Sequence, residues 1–360
     1  MTIVTKRLEE QKLDLDFVHP LDGDFSWAQR RYVAEVERQY NQGKPVRIVV
    51  LKARQLGIST STEGIMFNWG FMHPGTNGLI ATYENDQSED LFNKVQYFWD
   101  TWPYKELFNL KYATKHHFHW IETNSKLRVA TAGNRTGARG STLHAVHLSE
   151  VAFYADPRKF LLGLKQTVPN RHKTIVVLES TANGVGNYFY EFWNEAMEGG
   201  NDYVPLFFPW WKHPEYRLPT TLTIRSELDP DEKHLLRLGA SYENIAWRRW
   251  AIANLTEGDL DKFMQEYPST DEEAFITSGR PIFSPTKLRD VYDEARGHRG
   301  LLIEEPNGRM RFVSDPSGSL TIFKAPRRGD RRNDRYFVAG DPRVDCGRSL
   351  IYPGNKPLHF

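Results

Sequence analysis

The run Arg47-Ile-Val-Val-Leu51 is β-branched and apolar, and it leads directly into a Gly-containing turn and a hydroxyl pair, Lys52-Ala-Arg54-Gln55-Leu-Gly57-Ile-Ser59-Thr60. Such a segment predicts a strand, a phosphate-cradling loop and the start of a helix. Against the phosphate-loop pattern G-x-x-x-x-G-K-[ST], Gly57 fills the second Gly and Ser59 the Mg²⁺-binding hydroxyl. Lys52 stands in place of the first Gly and Ile58 in place of the usual Lys. The chemistry survives the departures. Backbone N–H groups around Gly57 and the positive end of the following helix favour anionic oxygens, and Lys52 or Arg54 supplies the missing cation. Gln55 and Thr60 belong to the same nucleotide-binding loop. An ordinary strand-turn-helix unit is the competing reading of this segment taken alone.

The segments that follow favour the phosphate loop. β-rich runs near 47–51, 78–82, 127–131, 144–148 and 174–178 alternate with helical patterns near 59–71, 87–100 and 187–197. That alternation predicts an α/β fold, a mostly parallel central sheet flanked by helices, with ligands gathering at the carboxyl ends of the strands. One apolar run closes at Ser149-Glu150, and an acid at such a strand tip can orient and deprotonate a water for attack on a γ-phosphate. Glu150 is therefore the expected catalytic base. The run Thr174-Ile-Val-Val-Leu-Glu-Ser180-Thr181-Ala-Asn183-Gly184 ends in small polar residues, which makes Ser180, Thr181 and Asn183 the expected sensors of the γ-phosphate.

Composition narrows the class. With 360 residues the chain is long enough for two or three domains. Lys plus Arg number 47 against 46 acids, so no global basic excess marks a nucleic-acid binder, and any DNA contact must be a local patch. The single Cys346 excludes a disulfide framework and a Cys-based zinc site, in keeping with a reducing compartment. No apolar run approaches a membrane span, and the N-terminus lacks a cleavable signal pattern, so the expectation is a soluble intracellular protein without a membrane partner. Aromatic residues make up 13% of the chain and are read as core packing rather than base stacking.

Residues 1–45 read as an N-terminal segment with a helix around Trp27 to Tyr40, and 46–218 as the core α/β domain. From 219 to 280 the pattern changes to short polar helices, with Asp229-Pro230 as a start, Gly239 as a stop and Ser269-Thr-Asp-Glu272 as a capping box. This predicts a small helical lid subdomain. Residues 281–333 read as a linker region that includes the charge run Arg327-Arg-Gly-Asp-Arg-Arg332. Residues 334–360 open with an apolar strand ending at Asp341.

Taken in order, Arg54-Gln-Leu-Gly57, Ser149-Glu150, Glu179-Ser-Thr-Ala-Asn-Gly184, Glu266-Tyr-Pro-Ser-Thr270 with Glu273-Ala-Phe275, and the strand ending at Asp341 resemble the ATPase half of the large terminase subunit, the genome-packaging motor of tailed phages. The resemblance implies a P-loop NTPase fold, with 334–360 as the incomplete start of an RNase H-like nuclease domain. It implies ATP with Mg²⁺ as the cofactor, and double-stranded viral DNA, a portal ring and a small terminase subunit as partners. It also implies a homo-oligomeric ring acting at the procapsid in the host cytoplasm. By the same resemblance Gln29 is the adenine-reading Gln and Arg139 an arginine finger for a neighbouring subunit, with Arg135 as its competitor. Asp341 matches the first nuclease metal ligand, with Asp345 close by. Ser149 departs from members that carry Asp before the Glu. Two-metal cleavage needs several converging carboxylates, and 19 residues follow Asp341, so this chain is expected not to cut DNA. A helicase of the same nucleotide-binding class and a non-hydrolysing ATP-binding scaffold are the alternative functions.

Overall fold

The computed structural model describes residues 25–102, 104–114, 116–132, 141–220 and 228–276 of one unit spanning 1–279. Of a second unit, 280–360, it describes 298–304, 310–315, 320–322, 336–340 and 349–353. Arg135, Arg139, Asp341, Asp345 and the charge run at 327–332 lie outside the described residues.

In the first unit the elements follow as α1 (Trp27–Asn41), β1 (Val46–Lys52), α2 (Ile58–Met72), β2 (Asn77–Thr82), α3 (Asn85–Thr101), β3 (Leu110–Thr114), β4 (His117–Trp120), β5 (Lys126–Thr131), β6 (Ala145–Ser149), α4 (Pro157–Lys165), β7 (Ile175–Ser180), α5 (Tyr188–Met197) and β8 (Val204–Phe208). Among the described residues four helices come next: α6 (Pro230–Leu238), α7 (Tyr242–Leu255), α8 (Leu260–Glu266) and α9 (Asp271–Ile276). The strands form one eight-stranded sheet in the order β3-β4-β5-β2-β6-β7-β1-β8. From β5 to β8 every neighbouring pair is parallel, and the two antiparallel pairs, β3–β4 and β4–β5, lie at one edge, where β4 alone runs against the rest.

Every residue of β1 is buried, and its alternating side chains divide between two apolar layers. Ile48 and Val50 face the layer built on α1, α2 and α3 with Tyr32, Ile65, Phe67 and Phe98. Val49 and Leu51 face the layer built on α4 and α5 with Leu161, Leu164, Phe189 and Trp193. The chain leaves β1, crosses to β2 three places away and returns to β6 and β7 between them, so the carboxyl ends of β1, β6 and β7 lie side by side.

Local signals set the helix ends. Asp229 caps α6 in a reciprocal box with Glu232, Pro230 occupies the first turn, and Gly239 ends the helix with φ 106°. At α9 the box is displaced by one residue from the expected Ser269–Glu272. The Thr270 hydroxyl accepts from the Glu273 N–H at 3.2 Å, and the Glu273 carboxylate accepts from the Ser269 N–H and hydroxyl, both at 3.3 Å, while that hydroxyl also accepts from the Trp210 indole N–H at 3.2 Å. The aromatic residues do pack the core: Trp69, Trp120, Trp193 and Trp210 are fully buried. The four C-terminal helices join it on both sides, Trp247 and Phe263 in the first layer and Ala274 and Phe275 in the second.

In the second unit β9 (His298–Glu304) pairs antiparallel with both β10 (Met310–Ser314) and β11 (Leu320–Ile322), a small sheet inside the stretch read as linker. The expected strand before Asp341 is β12 (Tyr336–Gly340), paired antiparallel with β13 (Ser349–Pro353).

Trp210 ties β8 to the late helices through Trp247, at 5.1 Å between ring centroids, and through Ser269. Trp210→Ala should therefore cost about 3–5 kcal/mol in urea unfolding. A loss under about 1 kcal/mol would show that this junction is not part of the cooperative core.

Candidate active site

β1 ends at Lys52, and the chain turns through Gln55 (φ 56°) and Gly57 (φ 75°) before α2 begins. Gly57 is required by close approach as well as by its left-handed backbone: a Cβ there would lie 2.7 Å from Gln29 Nε2. That amide nitrogen donates to the Gly57 carbonyl at 3.3 Å, while its oxygen accepts from the Ser26 N–H in the capping box of α1. Gln29 thus braces the loop. From the other side, Arg54 N–H donates to the Glu266 carbonyl at 3.1 Å and the Tyr216 hydroxyl to the Arg54 carbonyl at 2.6 Å. The Arg54 guanidinium, more than half exposed, pairs with the Glu266 carboxylate.

Glu150 follows β6 with φ 55°, a left-handed turn that a non-glycine residue adopts at a cost of about 1–3 kcal/mol. The turn leaves its carboxylate partly exposed at the ends of β1 and β7. Oε1 accepts from Lys52 Nζ at 3.3 Å, and Oε2 accepts from the Ser180 hydroxyl and the Thr181 N–H, both at 3.3 Å. Asn183 turns elsewhere, its amide donating to the Ala152 carbonyl at 3.2 Å.

Lys52 is buried, and its ammonium also lies 3.5 Å from Glu179 Oε2. Burial works against its charge, but the Glu150 and Glu179 carboxylates outweigh it and hold the amine above its ordinary range. Glu179 is wholly buried. Burial pushes its carboxyl up, yet Lys52 and His147, with a smaller contribution from Ser59, bring it well below the usual carboxylate range. The Ser149 hydroxyl donates to its Oε1 at 3.0 Å. His147, in the middle of β6, bridges Glu179 Oε1 at 3.1 Å and Glu63 Oε1 of α2 at 2.6 Å. Its own burial disfavours the charged ring, but the two carboxylates raise it to about 9. Burial leaves Glu63 above its ordinary value.

The structure therefore brings together Lys52, Glu150, Ser180 and Thr181, with Ser59 joined to them through Glu179. Arg54 is drawn outward to Glu266, Thr60 is partly exposed on the first turn of α2, and Arg139 and Asp341 lie outside the described residues. Sequence reasoning missed Glu63, His147 and Glu179. Their signal was present: each is an ionisable residue inside an otherwise apolar strand or helix stretch, where a charge persists only if it is paired.

The same fold recurs among solved structures. The HK97 bacteriophage large terminase aligns with a TM-score of 0.50 at 15% identity, over 84% of this chain and 59% of that protein. The chain has the fold of a large-terminase ATPase region. The large terminase ATPase domain of Thermus phage P74-26 aligns at 17% identity and a TM-score of 0.47 over 72% of this chain and 98% of that domain. The large terminase of a thermophilic bacteriophage in complex with ATP-gamma-S aligns at 10% identity and 0.43 over 59% of this chain and 49% of that one. No protein-family model matches the chain. By the strand order of this sheet the ends of β1, β6 and β7 lie at the crevice where open α/β sheets bind ligands.

The raised His147 sets a sign for pH dependence. A basic group held above its unfolded value stabilises the fold fully below about 6.5 and loses that contribution as pH rises through about 9. Urea unfolding should show a fall on the order of 3 kcal/mol across this window. His147→Gln should flatten the fall, and an unchanged slope would mean that the buried ring carries no proton.

Proposed function

We propose that this chain is the ATP-hydrolysing motor subunit of a large terminase, which drives double-stranded viral DNA through a portal ring into a procapsid. The observation that carries the reading is the convergence of the buried Lys52 ammonium, the Ser59 hydroxyl and the Glu150 carboxylate beside the left-handed Gly57 turn at the start of α2. A 15-residue helix opening on that turn presents free N–H groups and its positive end to phosphate oxygens. Bound phosphates offer Lys52 an anion in place of the Glu150 carboxylate, and Ser59 fits Mg²⁺ as the hydroxyl ligand of a phosphate loop. ATP with Mg²⁺ supplies the phosphoryl group and the charge neutralisation.

Released from Lys52, Glu150 is free to orient a water and take its proton. Its second oxygen stays tied to Ser180 and Thr181, so a shift of the carboxylate as hydrolysis proceeds pulls on the end of β7. That tie suits Ser180 and Thr181 to coupling, with Asn183 next in line. Gln29 beside Gly57 suits contact with the adenine, and Arg139 is proposed to complete the site of a neighbouring subunit in the ring. Asp341 is proposed as a nuclease-type metal ligand. The small terminase subunit is a further expected partner, in the host cytoplasm. A scaffold without turnover would use the partly exposed Glu150 only to pair Lys52, a task that Glu179 already shares.

ATPase activity should be measurable and should rise with linear double-stranded DNA and portal rings. Glu150→Gln should retain ATP binding and lower turnover by about 10²-fold or more, whereas Lys52→Ala should weaken nucleotide binding itself. A Glu150→Gln protein that hydrolyses ATP at the wild-type rate would remove this residue as the base.

A further inference from the structure

Phosphate-loop ATPases hold the nucleotide's Mg²⁺ with the loop hydroxyl and a carboxylate on the strand that also carries the catalytic acid. In this chain the residue before Glu150 is Ser149, which has no charge to offer. Across the β6–β7 ladder Ser149 stands in register with Glu179, and its hydroxyl donates to Glu179 Oε1 at 3.0 Å. The carboxylate is therefore present at the same level of the sheet, one strand over.

Its two oxygens are used unequally. Oε1 takes the Ser149 hydroxyl and the His147 ring, and that ring is fixed from behind by Glu63. Oε2, fully buried, has no hydrogen bond and only the Lys52 ammonium at 3.5 Å. Ser59, the loop hydroxyl, stands on the first turn of α2 and helps to hold this carboxyl low. Once Lys52 moves to the phosphates, this oxygen is a buried anion beside the Mg²⁺-binding hydroxyl with no cation of its own, and an uncompensated buried charge is strongly unfavourable. A divalent cation carried in by the nucleotide meets that need.

We propose that Glu179 is the carboxylate that secures the nucleotide's Mg²⁺ together with Ser59, replacing an acid at position 149, and that His147 and Glu63 are positioning residues that aim its free oxygen. The assignment rests on the ATPase reading above. It explains why an acid sits inside the otherwise apolar strand β7 and why three further polar groups are spent on holding one of its oxygens.

Binding of the fluorescent nucleotide mant-ADP, measured in excess Mg²⁺ and in EDTA, separates the metal from the nucleotide without reading turnover. The wild-type chain should bind more tightly with Mg²⁺. Glu179→Gln should lose about 10–100-fold of that gain, the usual effect of removing a metal's supporting carboxylate, with its affinity in EDTA unchanged. The double variant Ser149→Asp with Glu179→Ser returns the carboxylate to β6 and keeps the buried charge count, so it should recover the Mg²⁺ gain even where Glu179→Gln fails to fold by circular dichroism. A wild-type chain that binds no nucleotide overturns the ATPase reading and this assignment with it. A full Mg²⁺ gain in folded Glu179→Gln, or a folded double variant without any gain, overturns the assignment alone.

Discussion

A primary ammonium sealed inside a parallel sheet is tolerable only in the company of anions, and the placing of Lys52 between Glu150 and Glu179 is the constraint from which the rest of the site follows. Burying such a group costs several kcal/mol unless its partners are close and themselves satisfied. Each carboxylate is accordingly held by its own set of donors: Ser180 and the Thr181 N–H for Glu150, Ser149 and His147 for Glu179. Those donors come from β6, β7 and the segment after β7, so the charge of Lys52 dictates the side chains of neighbouring strands. The chain of charges continues to Glu63 on α2 and joins the sheet to the helix that starts at the phosphate loop.

The loop is fixed by a different set of contacts, and none of them is charged at its core. Gln29 fills the space where Gly57 lacks a side chain, and Tyr216 and Glu266 hold the backbone of Arg54. This division has a physical logic. Neutral hydrogen bonds keep the loop's shape whatever anion arrives, whereas the ionic groups lining the crevice respond to it. The motif around Glu266-Tyr-Pro-Ser-Thr270 owes its place to the first task, since the Glu266 carbonyl accepts from the Arg54 N–H, and Pro268 and Ser269 accept from Trp210.

The strands that build the sheet's centre were readable because β-branched runs buried on both faces leave a plain signature, as in 47–51 and 174–178. The edge strands β3 and β4 were not. They are short, carry His117, His119 and Lys111, and lack the apolar continuity that marks a central strand. Helix α4 also escaped notice, although Asp156-Pro157 starts it as Asp229-Pro230 starts α6. Lys52 and Glu150 were legible from their positions at strand ends. For Glu179 the apolar strand around it showed that its charge needed a partner, but not which one, because strand order is a property of the whole sheet that no local stretch encodes.

The late helices place Trp247 and Phe263 in one apolar layer and Ala274 and Phe275 in the other. A segment that seals both sides of a sheet is not a detachable module. Deleting it would open two faces of the core to water at once, and grafting it onto a related sheet would require both surfaces to match. Over evolutionary time such a strap is expected to be inherited together with the sheet it closes, and the freedom to vary is left to chain that contributes to neither layer.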